Sequence, residues 1–293
     1  MINHGASPAP AIRRRDFLCG TLAATAATVL PGRAAAAETP SLSLPDSAPI
    51  DFHVHLDKST IDAVLPLSRE RGVKFGIVEH AGTRENVYPV VLSNDAELRA
   101  YIAMLGDRPV YKGVQAEYDD WFGCFSREAL AQLDFILTDA MTMPGPDGKR
   151  EKLWEKGAHI GEPQAFMDRY VDWHVHLLQT CPIDIFANIT WLPQDLLPNY
   201  DALWTPARMR KVIDAAVTHG AAIEISAKLQ LPRMPFLEMA KASGAKFTFG
   251  SNGRYPDMGK IEYSLATAKQ LGLAASDMFR PVPGNKAIRR WNG

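Results

Sequence analysis

Two histidines separated by a single residue, His53 and His55, lie in a short apolar run of the chain. In a β-strand, residues two apart point to the same side, so both imidazoles are expected on one face. Imidazole nitrogens combined with carboxylates from neighbouring strands form a site suited to zinc, manganese or iron. The pair, together with His80 and Glu117 in later apolar runs, therefore predicts a divalent metal site.

Seven short apolar runs follow one another along the chain and are rich in Ile, Val and Phe, as buried parallel strands should be. They span 50–56, 75–80, 110–118, 135–141, 183–189, 221–226 and 247–250. The stretches between them predict helices at 60–71, 97–105, 164–180, 206–218, 236–243 and 259–271. This alternation indicates a parallel α/β fold, and a closed barrel is the economical arrangement for seven such units.

Polar residues at the ends of the predicted strands support a site, because the active site of a β/α barrel forms at the carboxyl ends of its strands. These residues are His53, His55, Glu79, His80, Glu117, Asp139, Asn188, Glu224, Ser251, Asn252 and Arg254. The connection 142–162 is unusually long, and such loops are usually functional. A second pair, His174 and His176, falls in a predicted helix, where residues two apart face different directions, so we expect it outside the site.

The segments Asp51–His55 and Gly76–His80, followed by Glu117, resemble the polymerase-and-histidinol-phosphatase (PHP) superfamily. The resemblance covers about 49–273 and implies a distorted (β/α)7 TIM-like barrel of PHP type. It also implies phosphoester hydrolysis, with metal ligands at His53, His55, His80 and Glu117. Amidohydrolases open with a similar Asp-x-His-x-His motif, but the later strand ends favour the PHP superfamily.

Later positions depart from the pattern of that superfamily. Met141 and Asn188 stand where histidines are usual, while Asn252 and Arg254 replace an aspartate and a histidine. Met and Asn are poor ligands for a hard divalent cation, and the fixed charge of Arg repels one. We therefore expect a reduced site that holds one ion of zinc, manganese or iron.

Hydrolysis is the simplest chemistry for one bound metal ion, which lowers the pKa of a bound water molecule. Glu79 or Asp139 is then expected to act as general base. Arg254 takes the place of a metal with its guanidinium group, and with Lys58 it is expected to hold an anionic substrate. The predicted substrate-binding residues are therefore Lys58, Asn188, Asn252 and Arg254.

Two other functions remain open at this point. The Asp51-x-His53-x-His55 opening also suits an amidohydrolase or a lactonase on the same barrel. A protein without turnover that binds a small anionic or sugar-like ligand through Arg254 and Asn188 is the third hypothesis. Four tryptophans near predicted strand ends or in loops would suit a sugar ring, although packing is their more common role: Trp121, Trp154, Trp191 and Trp204.

Charge and cysteine content exclude several functions. The net charge is −1, and Lys and Arg are not clustered on one segment, which argues against nucleic acid as a partner. Cys124 and Cys181 lie far apart in the chain and are expected to remain unpaired. The rest of the chain, 49–293, is expected to form a single barrel domain.

The first 37 residues have the order of an export signal. Arg14-Arg15-Asp16-Phe17-Leu18 resembles a twin-arginine motif, and an apolar stretch and a run of alanines follow it. The apolar stretch is too short to span a bilayer comfortably, so no permanent membrane anchor is expected. We expect the twin-arginine machinery to export the chain to the periplasm or beyond, with 38–48 as a linker.

Overall fold

In a computed structural model of the chain, the described residues are 44, 47–57 and 59–282. The predicted export signal (1–37), most of the predicted linker (38–48) and Lys58 lie outside the described residues. In the part of the chain that is described, no helix combines the length and apolar character that a membrane span requires.

Seven parallel strands close into a barrel. In order around it they are β1 (Ile50–Val54), β2 (Lys74–Ala81), β4 (Tyr111–Ala116), β5 (Phe135–Thr138), β8 (Ile185–Phe186), β9 (Ala222–Ser226) and β10 (Phe247–Gly250). The barrel is closed because β1 pairs with both β2 and β10. A short strand, β3 (Val91–Leu92), extends the edge of β2. Each predicted apolar run coincides with one barrel strand, and the predicted seven-unit barrel is confirmed.

Eight helices are described on the outside of the barrel. They are α1 (Ile61–Arg71), α2 (Asp95–Leu105), α3 (Arg127–Leu130), α4 (Pro163–Thr180), α5 (Tyr200–Leu203), α6 (Pro206–His219), α7 (Met234–Ala242) and α8 (Glu262–Leu271). Asn94 caps α2 by accepting the backbone N–H of Glu97 at 3.0 Å. Gly72 ends α1 with a left-handed φ of 64°.

The connection 142–162 contains an antiparallel hairpin of β6 (Thr142–Pro144) and β7 (Arg150–Lys152). Strands of three residues show too little alternation of polar and apolar side chains to be recognised in the sequence. The connection predicted as a long loop therefore contains a β-hairpin.

Aromatic packing fills the lower part of the barrel interior. Phe52 and Phe135 meet edge to face with ring centroids 5.1 Å apart. Two glycines on neighbouring strands make room for them: a Cβ atom on Gly113 would lie 2.3 Å from the Phe135 ring, and one on Gly76 would lie 2.9 Å from it. The interior is thus a packed core below and a polar site above, as in other β/α barrels.

Strand β1 contains an irregularity in its pairing with β2. Asp51 pairs with Phe75 and Val54 with Ile77, so Phe52 and His53 together face the single residue Gly76. An extra residue of this kind is a β-bulge, and it changes which side the following residues face. Phe52 and His53 consequently both point into the barrel, although they are adjacent in sequence.

Asp51 joins the first and last strands of the barrel from the side opposite Phe52. Its carboxylate accepts the backbone N–H groups of His53 (3.1 Å), Ser251 (2.9 Å) and Gly259 (2.8 Å), and the Ser251 hydroxyl at 2.5 Å. Burial raises the pKa of Asp51, and these four donors oppose that rise. The Asp51 carboxylate therefore links β1 to the segment after β10 and reinforces the closure of the barrel at this point.

We expect Asp51→Asn to lower the free energy of unfolding by about 2–3 kcal/mol, because an amide NH2 would meet buried donors that need an acceptor. Chemical denaturation of the purified protein measures this change. The matched control is Asp107→Asn, at an exposed position, which should change stability by less than about 0.5 kcal/mol. Equal stabilities of the two variants would contradict the closing role of Asp51.

Candidate metal centre

His53 lies inside the barrel, where it bridges strands that are not neighbours in the sheet. Its Nδ1 atom is 2.7 Å from Oε2 of Glu224 on β9, and its Nε2 atom is 3.1 Å from Oε1 of Gln115 on β4. Burial lowers the pKa of His53, but the carboxylates of Glu224, Asp139 and Asp51 together raise it overall, with Glu224 contributing most. Both ring nitrogens of His53 are therefore engaged with protein groups.

His55 is fully buried beside it, with ring centroids 5.3 Å from His53 and 4.9 Å from His80. Neither ring nitrogen of His55 has a hydrogen-bonding partner among the described residues. Burial, followed by the charges of His53 and His80, lowers the pKa of His55 well below its usual value, while the Gln115 side chain opposes this shift. The ring is therefore neutral at physiological pH, which is the form that binds metals.

His55, Asp57 and Glu79 form a compact group in which one ligand atom of each residue lies within 4.8 Å of the others. An unpaired buried imidazole is costly unless a ligand binds it. One nitrogen and two carboxylates are a donor set that suits zinc or manganese. The residues of this group therefore fit one divalent ion.

Glu79 and His80 lie on opposite sides of β2, since successive residues of a strand alternate. Val78 belongs to the cluster inside the barrel, whereas Phe75 and Ile77 pack against the helices outside it. Glu79 is two residues after Ile77 and therefore faces the same outer side. Burial, then the charge of Asp57, raises the pKa of Glu79 to about 7. The sequence predicts both residues at the same rim, but the structure brings Glu79 to the site from the outer side, under the loop after β1.

His80 is fixed by two neighbours at the rim. Its Nδ1 atom is 2.7 Å from Oε1 of Glu117, and its ring stacks on Tyr88 with centroids 3.7 Å apart. Tyr88 donates its hydroxyl to the other carboxylate oxygen of Glu117 at 3.2 Å. Within the described part of the chain, Nε2 of His80 has no partner. Histidines that bind metals commonly make such a contact with a carboxylate through their other nitrogen.

Asp139 lies inside the barrel, where the side-chain amides of Gln115 and Asn188 hold its carboxylate. Its Oδ2 atom accepts N–H groups from Gln115 (3.4 Å) and Asn188 (3.2 Å), and Oδ1 accepts the backbone N–H of Met141 at 3.0 Å. Burial, then the charge of Glu117, raises the pKa of Asp139 to about 6. This carboxylate can therefore exchange a proton near neutral pH.

Arg254 reaches the same rim from the loop after β10. Its Nε atom donates to Oδ2 of Asp57 at 2.6 Å, and one terminal nitrogen donates to the Asn252 side chain at 2.8 Å. The Arg254 side chain is 41% exposed, so solvent and ligands reach it. The pair with Asp57 holds the guanidinium group next to the candidate metal group.

The hairpin β6–β7 extends over the loop that carries Tyr88. Arg150 donates to Thr83 (3.2 Å), Asn86 (2.9 Å) and Asp120 (2.7 Å). Lys152 lies 4.5 Å above the Tyr88 ring. The hairpin thereby holds the loop whose tyrosine stacks on His80.

The structure brings most of the predicted site residues together at one end of the barrel. His53, His55, His80, Glu117, Asp139 and Asn188 form the interior set, while Asn252 and Arg254 lie at its edge. Asp57, Gln115 and Tyr88 were not predicted as site residues. Asp57 directly follows the predicted apolar run 50–56, and Gln115 precedes Glu117 by two residues and so shares its face. Tyr88 lies in a loop, where no periodicity marks it.

The second histidine pair lies away from the site, in agreement with the prediction. His174 is buried in α4 with its ring nitrogens 2.6 Å and 2.9 Å from the carbonyl oxygens of Tyr170 and Ile189. His176 contacts Asp119 at 2.9 Å. Trp121 and Trp204 are buried packing residues, and Trp154 is exposed with its ring centroid 6.3 Å from that of Tyr88.

No protein-family model and no curated protein matches this sequence. Among solved structures, the chain is similar to a histidinol phosphate phosphatase from Lactococcus lactis subsp. lactis Il1403 that was solved with zinc, L-histidinol and phosphate. The two share 15% identity with a TM-score of 0.56, and the similarity covers 82% of this chain and 98% of that chain. This similarity shows a common fold.

Two further barrels are more distant. An HpcH/HpaI aldolase from Desulfitobacterium hafniense DCB-2 is 12% identical, with a TM-score of 0.35, over 80% of this chain and 95% of that chain. An aldolase/citrate lyase family protein from Burkholderia cenocepacia J2315 is also 12% identical, with a TM-score of 0.35, over 77% and 93%. At these TM-scores neither protein informs the function of this chain.

His174 predicts a pH dependence of stability. Burial lowers its pKa to about 4, although the two carbonyl contacts oppose the shift. Because the unfolded chain binds the proton near pH 6.5, the free energy of unfolding falls as the pH drops from 6.5 to 4. The loss amounts to about 3 kcal/mol at pH 4.

Denaturation curves of wild type and His174→Gln at pH 7 and pH 4 measure this contribution, and the variant should lack it. His176→Gln in the same helix is the control and should retain it. If the wild type instead gains stability relative to His174→Gln when the pH falls, a charged His174 ring donates to both carbonyl oxygens and the prediction is wrong.

Proposed function

We propose that this chain is a metal-dependent hydrolase that acts on phosphoesters and uses one divalent ion. The observation that carries the proposal is the group of His55, Asp57 and Glu79, in which neither nitrogen of the fully buried, neutral His55 ring has a partner among the described residues. His80 beside it offers one more nitrogen without a partner in the described part of the chain. In this proposal Glu117 fixes the orientation of the His80 ring through its Nδ1 atom and does not bind the metal, whereas the family resemblance implied that Glu117 binds the metal directly.

The chemistry divides between the ion and the protein. A bound divalent ion supplies Lewis acidity, which polarises a scissile ester and makes water a stronger acid. Asp139, held by Gln115 and Asn188, is the group that accepts or returns a proton, because burial and the charge of Glu117 raise its pKa to about 6 and it is not one of the proposed ligands. With Glu79 assigned to the metal, Asp139 is the remaining candidate for general base.

Arg254 supports the choice of an anionic substrate. Its guanidinium group is anchored by Asp57 and Asn252, so its remaining N–H groups point from a fixed position. A guanidinium fork matches the oxygens of a phosphate group. The zinc and phosphate present in the structurally similar histidinol phosphate phosphatase agree with this choice. We also propose export by the twin-arginine route, on the basis of Arg14 and Arg15 in the sequence.

Metal binding tests the first part of the proposal. Titration calorimetry of the purified protein with zinc should show one ion per chain, and His55→Ala should weaken binding by more than about 100-fold. Glu117→Gln should weaken it about 10–100-fold by freeing the His80 ring. His159→Ala, at an exposed position of the loop 142–162, is the matched control and should bind like wild type. Less than about 0.2 ions per chain in the wild type would overturn the metal site.

Turnover tests the second part. The zinc-loaded protein should hydrolyse p-nitrophenyl phosphate, and Arg254→Ala should lower kcat/KM about 10–100-fold, as expected for a charged contact of 1.4–2.8 kcal/mol. Arg233→Ala removes another exposed arginine paired with an aspartate, here Asp201, and should have no effect. Zinc affinity of the Arg254 variant, measured alongside, separates substrate binding from the contact with Asp57. Turnover of lactones or amides without phosphatase activity would favour the amidohydrolase-type alternative.

A further inference from the structure

A cleft of about 790 Å³ lies between α1, α2 and the loop before β3, and its floor includes Asp57 and Glu79. Both residues belong to the candidate metal group. The volume is in the range of pockets that hold small organic ligands. The cleft therefore reaches that group from outside the barrel, on the side to which Glu79 points.

Most of the surface that lines the cleft is apolar, and the hydroxyls of Ser59 and Thr60, which also line it, contact backbone groups. Pro89 and Val90 come from the loop, Ile61 from α1, and Ala100 and Met104 from α2. Met104 is 42% exposed, which is unusual for a residue of this type. An exposed apolar wall next to a polar floor is typical of a site that binds a substrate with one polar end.

Charges at the mouth of the cleft cancel one another. Arg84 pairs with Glu97, and Arg108 pairs with Asp62 through two contacts of 3.0 Å and 3.3 Å. Among the described residues that line the mouth, these pairs leave no uncompensated charge for a second charged group on the ligand. At the floor, Oε2 of Glu79 is buried and has no hydrogen-bonding partner among the described residues.

We propose that this cleft holds the apolar organic group of the substrate, so that the protein prefers phosphomonoesters of alkyl or aryl alcohols over those of sugars. This inference rests on the proposed function, because it takes the candidate metal group as the place where the phosphate binds. The apolar walls then contact the alcohol part of the ester. A polyol in the same position would lose hydrogen bonds to water without finding partners on these walls.

A series of alkylphosphonates from methyl to octyl tests the proposal by binding alone. Titration calorimetry on the zinc-loaded wild type should show affinity rising about threefold per methylene until the cleft is filled, because each buried methylene adds a similar increment. Ala100→Trp, which places an indole in the cleft, should bind methylphosphonate like wild type but lose the gain with chain length. Ala103→Trp is the matched control: it lies on the same helix and is exposed, but it does not line the cleft.

The outcomes separate this proposal from the proposed function. A wild type that binds zinc and methylphosphonate with no gain along the series overturns the cleft proposal alone. Equal loss of chain-length dependence in both tryptophan variants overturns it as well. A zinc-loaded protein that binds none of the phosphonates overturns it too, and a protein that does not bind zinc overturns both proposals.

Discussion

The site depends on one extra residue in the first strand of the barrel. A regular strand would turn Asp51 and His53 to the same side, but the bulge opposite Gly76 sends Asp51 outward and His53 inward. Asp51 can then tie β1 to the segment after β10, while His53 and His55 enter the barrel above the Phe52 ring. Closure of the barrel and placement of the histidines are thus two consequences of the same local distortion.

Several ionisable groups lie in the barrel interior, and most of them are paired with a neighbouring polar group that offsets the cost of burial. His53 is matched by Glu224, and His80 by Glu117, at 2.7 Å in both pairs. Asp139 is held by amide donors. His55 differs, since it is buried to the same degree but unpaired within the described residues. Because burial of an unpaired polar group is destabilising, this residue marks the place where a ligand is needed.

Residues outside the barrel support the rim through contacts between segments that are far apart in the sequence. Arg150 on the hairpin joins three loop residues, and the loop it holds presents Tyr88 to His80 and Glu117. On the other side, Arg254 links the loop after β10 to Asp57. The rim is therefore built from residues that are distant in sequence, and its geometry depends on the closed barrel as well as on individual strands.

The sequence alone determined the seven strands, most helices and the predicted positions of His53, His55, His80 and Glu117. Short apolar runs and strand ends carry that information locally, because burial dictates composition along each element. The tertiary structure decided which groups meet: the bulge in β1 and the approach of Asp57, Gln115 and Tyr88 to the histidines. Those contacts join residues far apart in the chain, or reverse the alternation expected of a regular strand, so no local pattern could specify them.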